Sequence, residues 1–275
     1  MKDKILKVVL YTIVFGYAIF TLFPFVWAVA ASFKPVSEIV GGNLSIIPEN
    51  PTLDAYKSLL VENNMFWRWL LNSFFISGVA TVCNVLFNTM AGYSLARIHF
   101  RGKNLVANLI IATITIPGQV LLIPNYVIVT QMGLNNTYTA VILLSAINAS
   151  YIIMMRQFFI NFPREVEEAG QIDGLSRFGI FFRLSFPIAK PAIATQSLFI
   201  FMGVWNEFLK TKLYLSSPDK YTITVGLQAL SQSQGDSVPW DLVMASSVMS
   251  IVPMIILYII LNRYFLEGVR IGGDK

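Results

Sequence analysis

Between Asn161 and Lys190 an otherwise apolar chain gathers Arg164, Glu165, Glu167, Glu168, Asp173, Arg177 and Arg183. Pro163 is a favoured first-turn residue, and the three glutamates put negative charge at a helix N-terminus, where the macrodipole favours it. A helix is expected to start here. Val166, Ala169, Ile172 and Asp173 fall at helical spacing, and Gly174 is placed to close the helix in a left-handed turn. Ser176 can cap a second short helix carrying Phe178, Ile180, Phe181, Phe182 and Leu184, which Pro187 is expected to end. The chemistry on offer is recognition, by a rigid helix-turn-helix with its polar edge outward and its apolar edge held by its own chain. Two readings fit: a protrusion that docks into another protein's groove, and an amphipathic connector that covers the ends of its neighbours.

Polar side chains inside the apolar stretches form a second group. They are costly in a bilayer and usually face a cavity or another helix. Asn72, Ser73, Asn84 and Asn88 lie in one stretch, Gln119 and Asn125 in another around Pro117 and Pro124, and Trp205, Asn206 and Glu207 near the end of a third. Proline-interrupted helices are where transporters expose backbone and polar groups to solute. Amides and hydroxyls, rather than strong charge, suit a neutral polyol, with Trp205 stacking on a sugar ring and Asn206 or Glu207 bonding its hydroxyls. The candidate pathway is therefore Asn84, Asn88, Gln119, Asn125, Trp205, Asn206 and Glu207. The alternative is interhelical hydrogen bonding without solute contact, with Glu207 pairing to Lys210 or Thr211 one turn on.

Other chemistries find no residues. Cys83 is the one cysteine and His99 the one histidine, so neither a disulfide framework nor a metal cluster is expected. A phosphate-binding loop of the form G-x-x-x-x-G-K-[ST] is absent, since Gly102-Lys103 lacks both the upstream glycine and the hydroxyl. The chain is not expected to hydrolyse ATP by that chemistry, nor to be an enzyme.

These residues must be positioned by long apolar elements. With 55% hydrophobic and 13% charged residues and a mean hydropathy of +0.64, the chain is too apolar for one soluble core. A helix needs roughly 20 apolar residues to cross about 30 Å of hydrocarbon. Six stretches reach or approach that length, at about 8–33, 70–96, 105–129, 137–159, 191–214 and 242–261. Ala28-Val29-Ala30 matches a signal-cleavage pattern, but the 23 apolar residues 8–30 exceed the roughly 7–15 of a signal core, so an uncleaved first helix is expected. Trp67-Arg68-Trp69 suits a membrane interface. The polar segments 34–69 and 215–240 should be loops on one side. An even number of spans puts both termini on the other, where 14 of the 20 Lys and Arg residues fall, so termini and the 161–190 segment are expected in the cytoplasm. The net charge of +5 then reports membrane orientation rather than nucleic-acid binding. The expected class is an all-α polytopic membrane protein, residues 1–275 forming one transmembrane domain with a cytoplasmic helix-turn-helix between the fourth and fifth spans, which the resemblance described next makes a coupling helix.

Glu168-Ala169-Gly170, three residues, Gly174, nine residues, Leu184, one residue and Phe186-Pro187 resemble the EAA loop of ATP-binding-cassette importer permeases, Glu-Ala-Ala-x3-Gly-x9-Ile-x-Leu-Pro. Gly170, Leu184 and Phe186 depart from the pattern, and Gly170 weakens the helix by about 1 kcal/mol. Ala91–Arg97, Ile116–Gln119, Trp205–Phe208 and Arg263–Arg270 extend the resemblance over nearly the whole chain, to the sugar-importing, MalG-like branch. The resemblance implies a second permease in a heterodimer, an ATPase dimer carrying ATP and Mg²⁺, and an extracellular solute-binding protein met by the 215–240 loop. It implies that Glu168, Ala169, Gly170, Asp173, Gly174 and Pro187 form the ATPase-coupling contact, and that Arg263, Glu267 and Arg270 in the tail reach the same ATPase; without it the tail reads as a disordered end. Two other classes stay open on the residues alone: an ion- or proton-coupled carrier, for which only Glu207 is a candidate carboxylate, and an assembly protein with no solute path.

Overall fold

The computed structural model describes residues 2–42, 45–62, 64–232 and 238–273, and every regular element among them is helical. The main helices are α1 (Lys2–Ala31), α2 (Asn64–Arg97), α3 (Lys103–Ile114), α4 (Leu122–Gln131), α5 (Tyr138–Ser145), α6 (Ala149–Ile160), α7 (Glu165–Ile172), α8 (Arg177–Ile180), α9 (Lys190–Trp205), α10 (Leu209–Tyr214), α11 (Ile223–Gln232) and α12 (Trp240–Gly273). Three of them, α1, α2 and α12, are single helices long and apolar enough to cross a bilayer. The other apolar stretches are bent: α3 turns into Gly118–Gln131 by 94°, α5 into α6 by 42°, and Arg177–Ile188 into α9 by 77°. Two compact units form, Met1–Arg68 with Val225–Pro253 and Trp69–Thr224 with Met254–Lys275.

In the first unit, the segment after α1 is folded rather than a loose polar loop. Lys34, 1% exposed, sets its ammonium 3.2 Å from the Glu38 carboxylate and donates to the Ser45 carbonyl at 2.6 Å. Glu38 in turn accepts from the Glu49 and Asn50 amides at 3.1 and 3.3 Å. A buried ammonium is tolerable only when paired in this way. The expected loop 215–240 also contains structure, because Ile223, Gly226 and Leu230 recur at helical spacing and form the buried face of α11. Residues 233–237 of that loop lie outside the described residues.

In the second unit, α2 is the central helix. Its residues Ile76, Ala80 and Val85 join Val129 of α4, Ala140 and Val141 of α5, Ile200 and Val204 of α9, and Tyr214 of α10 in one buried cluster. Nearer its C-terminus Tyr93 packs on Met155 and Phe159 of α6 and on Phe181, while Leu95 meets Ala107 of α3 and Ile152 of α6. Gly92 permits this crossing: a Cβ there would stand 2.7 Å from Met155 Cβ, 2.8 Å from the Arg156 nitrogen and 2.9 Å from the Ile152 oxygen. Close backbone approach at a small residue is the usual means by which membrane helices pack, since lipid provides no hydrophobic drive between them.

The helix boundaries differ from the expected spans where local chemistry intervenes. α2 starts at Asn64, so Trp69 is a helical residue, 5% exposed, donating to the Pro218 carbonyl at 2.7 Å rather than anchoring at an interface. Pro117 lacks an amide hydrogen and ends the α3 direction. The stretch 191–214 is interrupted at Asn206, and α12 continues as helical backbone to Gly273. The tail is thus not an irregular end, although the side chains of Arg263, Glu267 and Arg270 lie outside what is described.

Candidate functional site

The break between α5 and α6 creates the first site. A bend of 42° at Ala146–Asn148 leaves the Ser145 carbonyl and the Asn148 amide without helical partners. Two α2 side chains one turn apart supply them. Asn84 donates to the Ser145 oxygen at 2.6 Å, Asn88 accepts from the Asn148 amide at 3.2 Å, and the Asn88 amide donates to the Asn84 oxygen. Both are buried, so their first task is to satisfy backbone that no water reaches. Asn148 also caps α6 by accepting from the Ser150 amide at 2.9 Å.

Beside this break lies a cavity of about 210 Å³, bordered by Asn84 of α2, Ser145 and Asn148 at the break, Tyr151 of α6, Gly203 of α9, and Glu207 with Lys210. The Glu207 carboxylate stands 3.5 Å from the Lys210 ammonium and accepts from the Lys210 amide at 3.1 Å, starting α10 after the break in α9. The expected pairing of Glu207 with Lys210 is present, and Thr211 bonds the Glu207 carbonyl at 2.7 Å. The wall therefore offers amides, hydroxyls and an internally neutralised ion pair beside the apolar side chains of Leu144, Ile147, Phe199, Ile200 and Val204.

Of the seven pathway candidates, the cavity brings together Asn84 and Glu207, with Asn88 buried behind Asn84. Trp205 is 2% exposed, its ring packed against Phe74 at 4.9 Å and stacked on Phe201 at 5.6 Å, away from the cavity wall. Asn206 is exposed and donates to the Met202 carbonyl at 2.9 Å, closing α9. Gln119 is exposed in the Gly118–Leu121 turn, and Asn125 is half-buried in α4; neither borders the cavity. Ser145, Asn148 and Tyr151 were not singled out from the sequence, and Lys210 only as a partner for Glu207. The one available signal was Asn148 followed by Ala149-Ser150, a cap pattern inside an apolar run. Asn72 and Ser73 are structural: Asn72 donates to the Asp219 and Tyr221 carbonyls at 2.9 Å each, and Ser73 accepts from the Ile223 amide at 2.8 Å.

The second site is the helix-turn-helix. α7 begins at Glu165, two residues after Pro163, and ends at Asp173; Gly174 takes the left-handed conformation with φ 77°. Ser176 caps α8 by accepting from the Gly179 amide at 3.2 Å. Pro187 does not end the second helix. A π-turn, Phe181–Ser185, carries it past the missing amide into Phe186–Ile188, and it stops at Ala189.

One face of α7 is tied down and the other is open. Gly170 is buried, and a Cβ there would stand 2.6 Å from Leu184 Cδ1 and 3.3 Å from Ile180 Cγ1. The departures at Gly170 and Leu184 are thus neighbours, the smaller residue making room for the longer side chain. Glu167 turns inward and meets the Arg97 guanidinium at 3.3 Å, with side-chain exposures of 13% and 7%. Arg97, the last residue of α2, also donates to the Phe162 carbonyl and lies 5.8 Å over the Phe162 ring. Burial pushes the Glu167 carboxyl above its ordinary value, and Arg97 and Arg164 hold it back. Glu165, Glu168, Ala169, Ile172 and Asp173 are exposed, Ile172 at 87%, and Phe178 beyond the turn at 69%. An exposed isoleucine and phenylalanine beside carboxylates form an amphipathic, unpartnered tip.

A helical chain with candidate membrane spans, a cavity at a broken helix pair and an exposed amphipathic tip fits the class of membrane transport components. Residues 88–271 match the family of binding-protein-dependent transport system inner membrane components, and the chain belongs to it. It is similar to the arabinooligosaccharides transport system permease protein AraQ of Halalkalibacterium halodurans, 34% identical over all of both chains. It is also similar to Protein LplC of Bacillus subtilis, 35% identical over 94% of this chain and 91% of that one. The polygalacturonan/rhamnogalacturonan transport system permease protein YtcP of Bacillus subtilis is 32% identical over the full length of both. Among solved structures, a bacterial ABC transporter involved in the import of the acidic polysaccharide alginate has a chain that superposes with a TM-score of 0.86 at 25% identity, covering 96% of this chain and 98% of that one. The chain is a multi-pass bacterial membrane protein and an ABC importer permease of the sugar-transporting, MalG-like type.

Proposed function

We propose that this permease carries a sugar or oligosaccharide, delivered by an extracellular solute-binding protein, across the bacterial plasma membrane by alternating access driven by partner ATPases. The observation that carries the reading is the continuity of α2, whose C-terminal Arg97 grips the α7 helix through Glu167 and whose Asn84 borders the cavity. A load applied to the exposed tip of α7 reaches the cavity wall through one rigid helix. In this reading Glu168, Ala169, Asp173 and Ile172 sit in the ATPase cleft, Gly170 and Gly174 set the shape of the protrusion, and Pro187 positions its return. ATP and Mg²⁺ belong to the ATPase.

The six spans are α1, α2, the bent pairs α3/α4 and α5/α6, α9 continued into α10, and α12, in one transmembrane domain with both termini inside. Three features support a sugar as cargo: relatives named for arabinooligosaccharides and for polygalacturonan, amides and hydroxyls set among apolar side chains in the cavity wall, and a charge pair that cancels itself. At about 210 Å³ the cavity is below the roughly 300–1,000 Å³ of complete ligand pockets, which fits half of a path shared with a second permease. The C-terminal end of α12 provides a second ATPase contact through Arg263, Glu267 and Arg270.

The test is uptake by vesicles holding the complete importer, with labelled arabino- and galacturono-oligosaccharides as probes. Glu168→Arg is expected to abolish ATP-driven uptake while the permease still inserts. Unchanged uptake in that variant removes the coupling assignment, and uptake on an ion gradient without ATP replaces it with a secondary carrier.

A further inference from the structure

The turn between α2 and α3 has no part in the cavity or the coupling tip, yet it is shaped. An open trough of about 700 Å³ runs over His99, Phe100, Arg101, Gly102, Lys103 and the start of α3. Gly102, at φ 82°, makes the sharp entry into α3 at which the trough lies. Lys103 donates to the Ala96 carbonyl at 3.0 Å, which holds the turn against the end of α2. Arg97, Arg156 and Arg164 all lie within electrostatic reach of Lys103. Of these four cations Arg97 pairs with Glu167, whose single charge Arg164 also feels, so one carboxylate stands against the group. No ion pair to Arg101, Lys103, Arg156 or Arg164 is found among the described residues, and Arg101 is exposed. The site thus has an uncompensated positive charge and, around it, a rim of another kind. Phe100 is 43% exposed and Leu105 64%, and Leu109, one turn along α3, is 58% exposed. Cationic donors that pass directly into an apolar strip match a molecule with an anionic head and a hydrocarbon tail.

We infer that the 99–105 trough binds the headgroup of an anionic phospholipid, Arg101 and Lys103 contacting its phosphate and the Phe100–Leu105–Leu109 strip its acyl chain. Lysine and arginine clusters at the cytoplasmic ends of membrane helices attract anionic lipid by about 1 kcal/mol per charge. An acidic protein surface would match the charges but would leave the apolar strip uncovered.

The experiment is native mass spectrometry of the full chain, purified in neutral detergent and titrated separately with phosphatidylglycerol, phosphatidylcholine and inorganic phosphate. The expected result is saturable phosphatidylglycerol binding that phosphate at millimolar concentration does not displace, with phosphatidylcholine several-fold weaker. Arg101→Gln should weaken it several-fold and Arg101→Glu more, while added salt weakens the wild type. Arg101 is exposed and needed for no internal contact, so both variants should melt like the parent. Equal binding of the two lipids, or wild-type binding by Arg101→Glu, means non-specific annular lipid and overturns the proposal. Displacement by phosphate means a free-anion site and overturns it too, as does loss of ATPase association in Arg101→Glu with lipid binding intact. None of these readouts depends on transport.

Discussion

Replacing Arg97 with alanine strands the Glu167 carboxylate in a pocket where it is 13% exposed. Breaking one partner of a buried pair typically costs about 3–5 kcal/mol, more than the pair itself contributes, because the remaining charge loses its compensation. Arg97→Ala should therefore lower the melting temperature of the purified chain far more than Glu168→Ala, whose side chain is exposed. The Glu167 carboxyl also has a pH signature. Its value is raised on folding, so the stability it contributes is fully present below the ordinary glutamate range and is lost as pH rises through its folded value. Melting curves of wild type and Glu167→Gln, compared from pH 4 upward by roughly two units, should show the wild type losing ground to the variant as pH rises. A difference independent of pH would show that this carboxyl does not titrate differently on folding. Gln196 is a third case. It is fully buried in α9, neither of its amide atoms has a hydrogen-bond partner, and it lies on the stripe 196, 200, 203, 207 whose last three members border the cavity. An unpaired buried amide costs about 1–3 kcal/mol, so Gln196→Leu should raise the melting temperature. A fall in melting temperature would mean that the amide is satisfied in the folded protein.

At the scale of elements, two glycines separate rigid from adaptable packing. The methyl of Gly92→Ala would meet the Arg156 nitrogen and the Ile152 oxygen, backbone atoms that cannot turn away, so α2 and α6 must move apart. Overpacking of this kind costs about 1–3 kcal/mol. The methyl of Gly170→Ala meets the end of the Leu184 side chain, which can rotate, and alanine improves helix propensity by about 1 kcal/mol. Thermal denaturation should show a clear loss for Gly92→Ala and little net change for Gly170→Ala; equal losses would contradict this account of the two contacts. The helix Glu165–Ile172 and the left-handed Gly174 that follows it were legible because capping and handedness are local. The break at Asn148 was not, since the penalty for interrupting α5–α6 is offset by Asn84 and Asn88, some 60 residues away in the chain.

At the scale of the whole molecule, the sidedness proposed from the Lys and Arg distribution can be tested without transport. In a Cys83→Ser background, Ser216→Cys should react with a membrane-impermeant maleimide in intact cells, whereas Ile172→Cys should react only in inside-out vesicles. Both labelling from one side would reject the six-span topology with inner termini.

The amino-acid sequence by itself determined that this chain is apolar enough to enter a membrane, that its cations gather in the short segments between apolar stretches, and that residues 161–190 form a capped helix-turn-helix. Each rests on composition or short-range spacing, which no tertiary contact needs to supply. Only the tertiary structure decided which polar residues share a cavity: Trp205 packs between Phe74 and Phe201, whereas Tyr151 and Lys210 border the cavity with Asn84 and Glu207. The physical reason is that a polar residue inside a span must find a partner, and whether that partner is backbone, side chain or open space depends on helices distant in sequence.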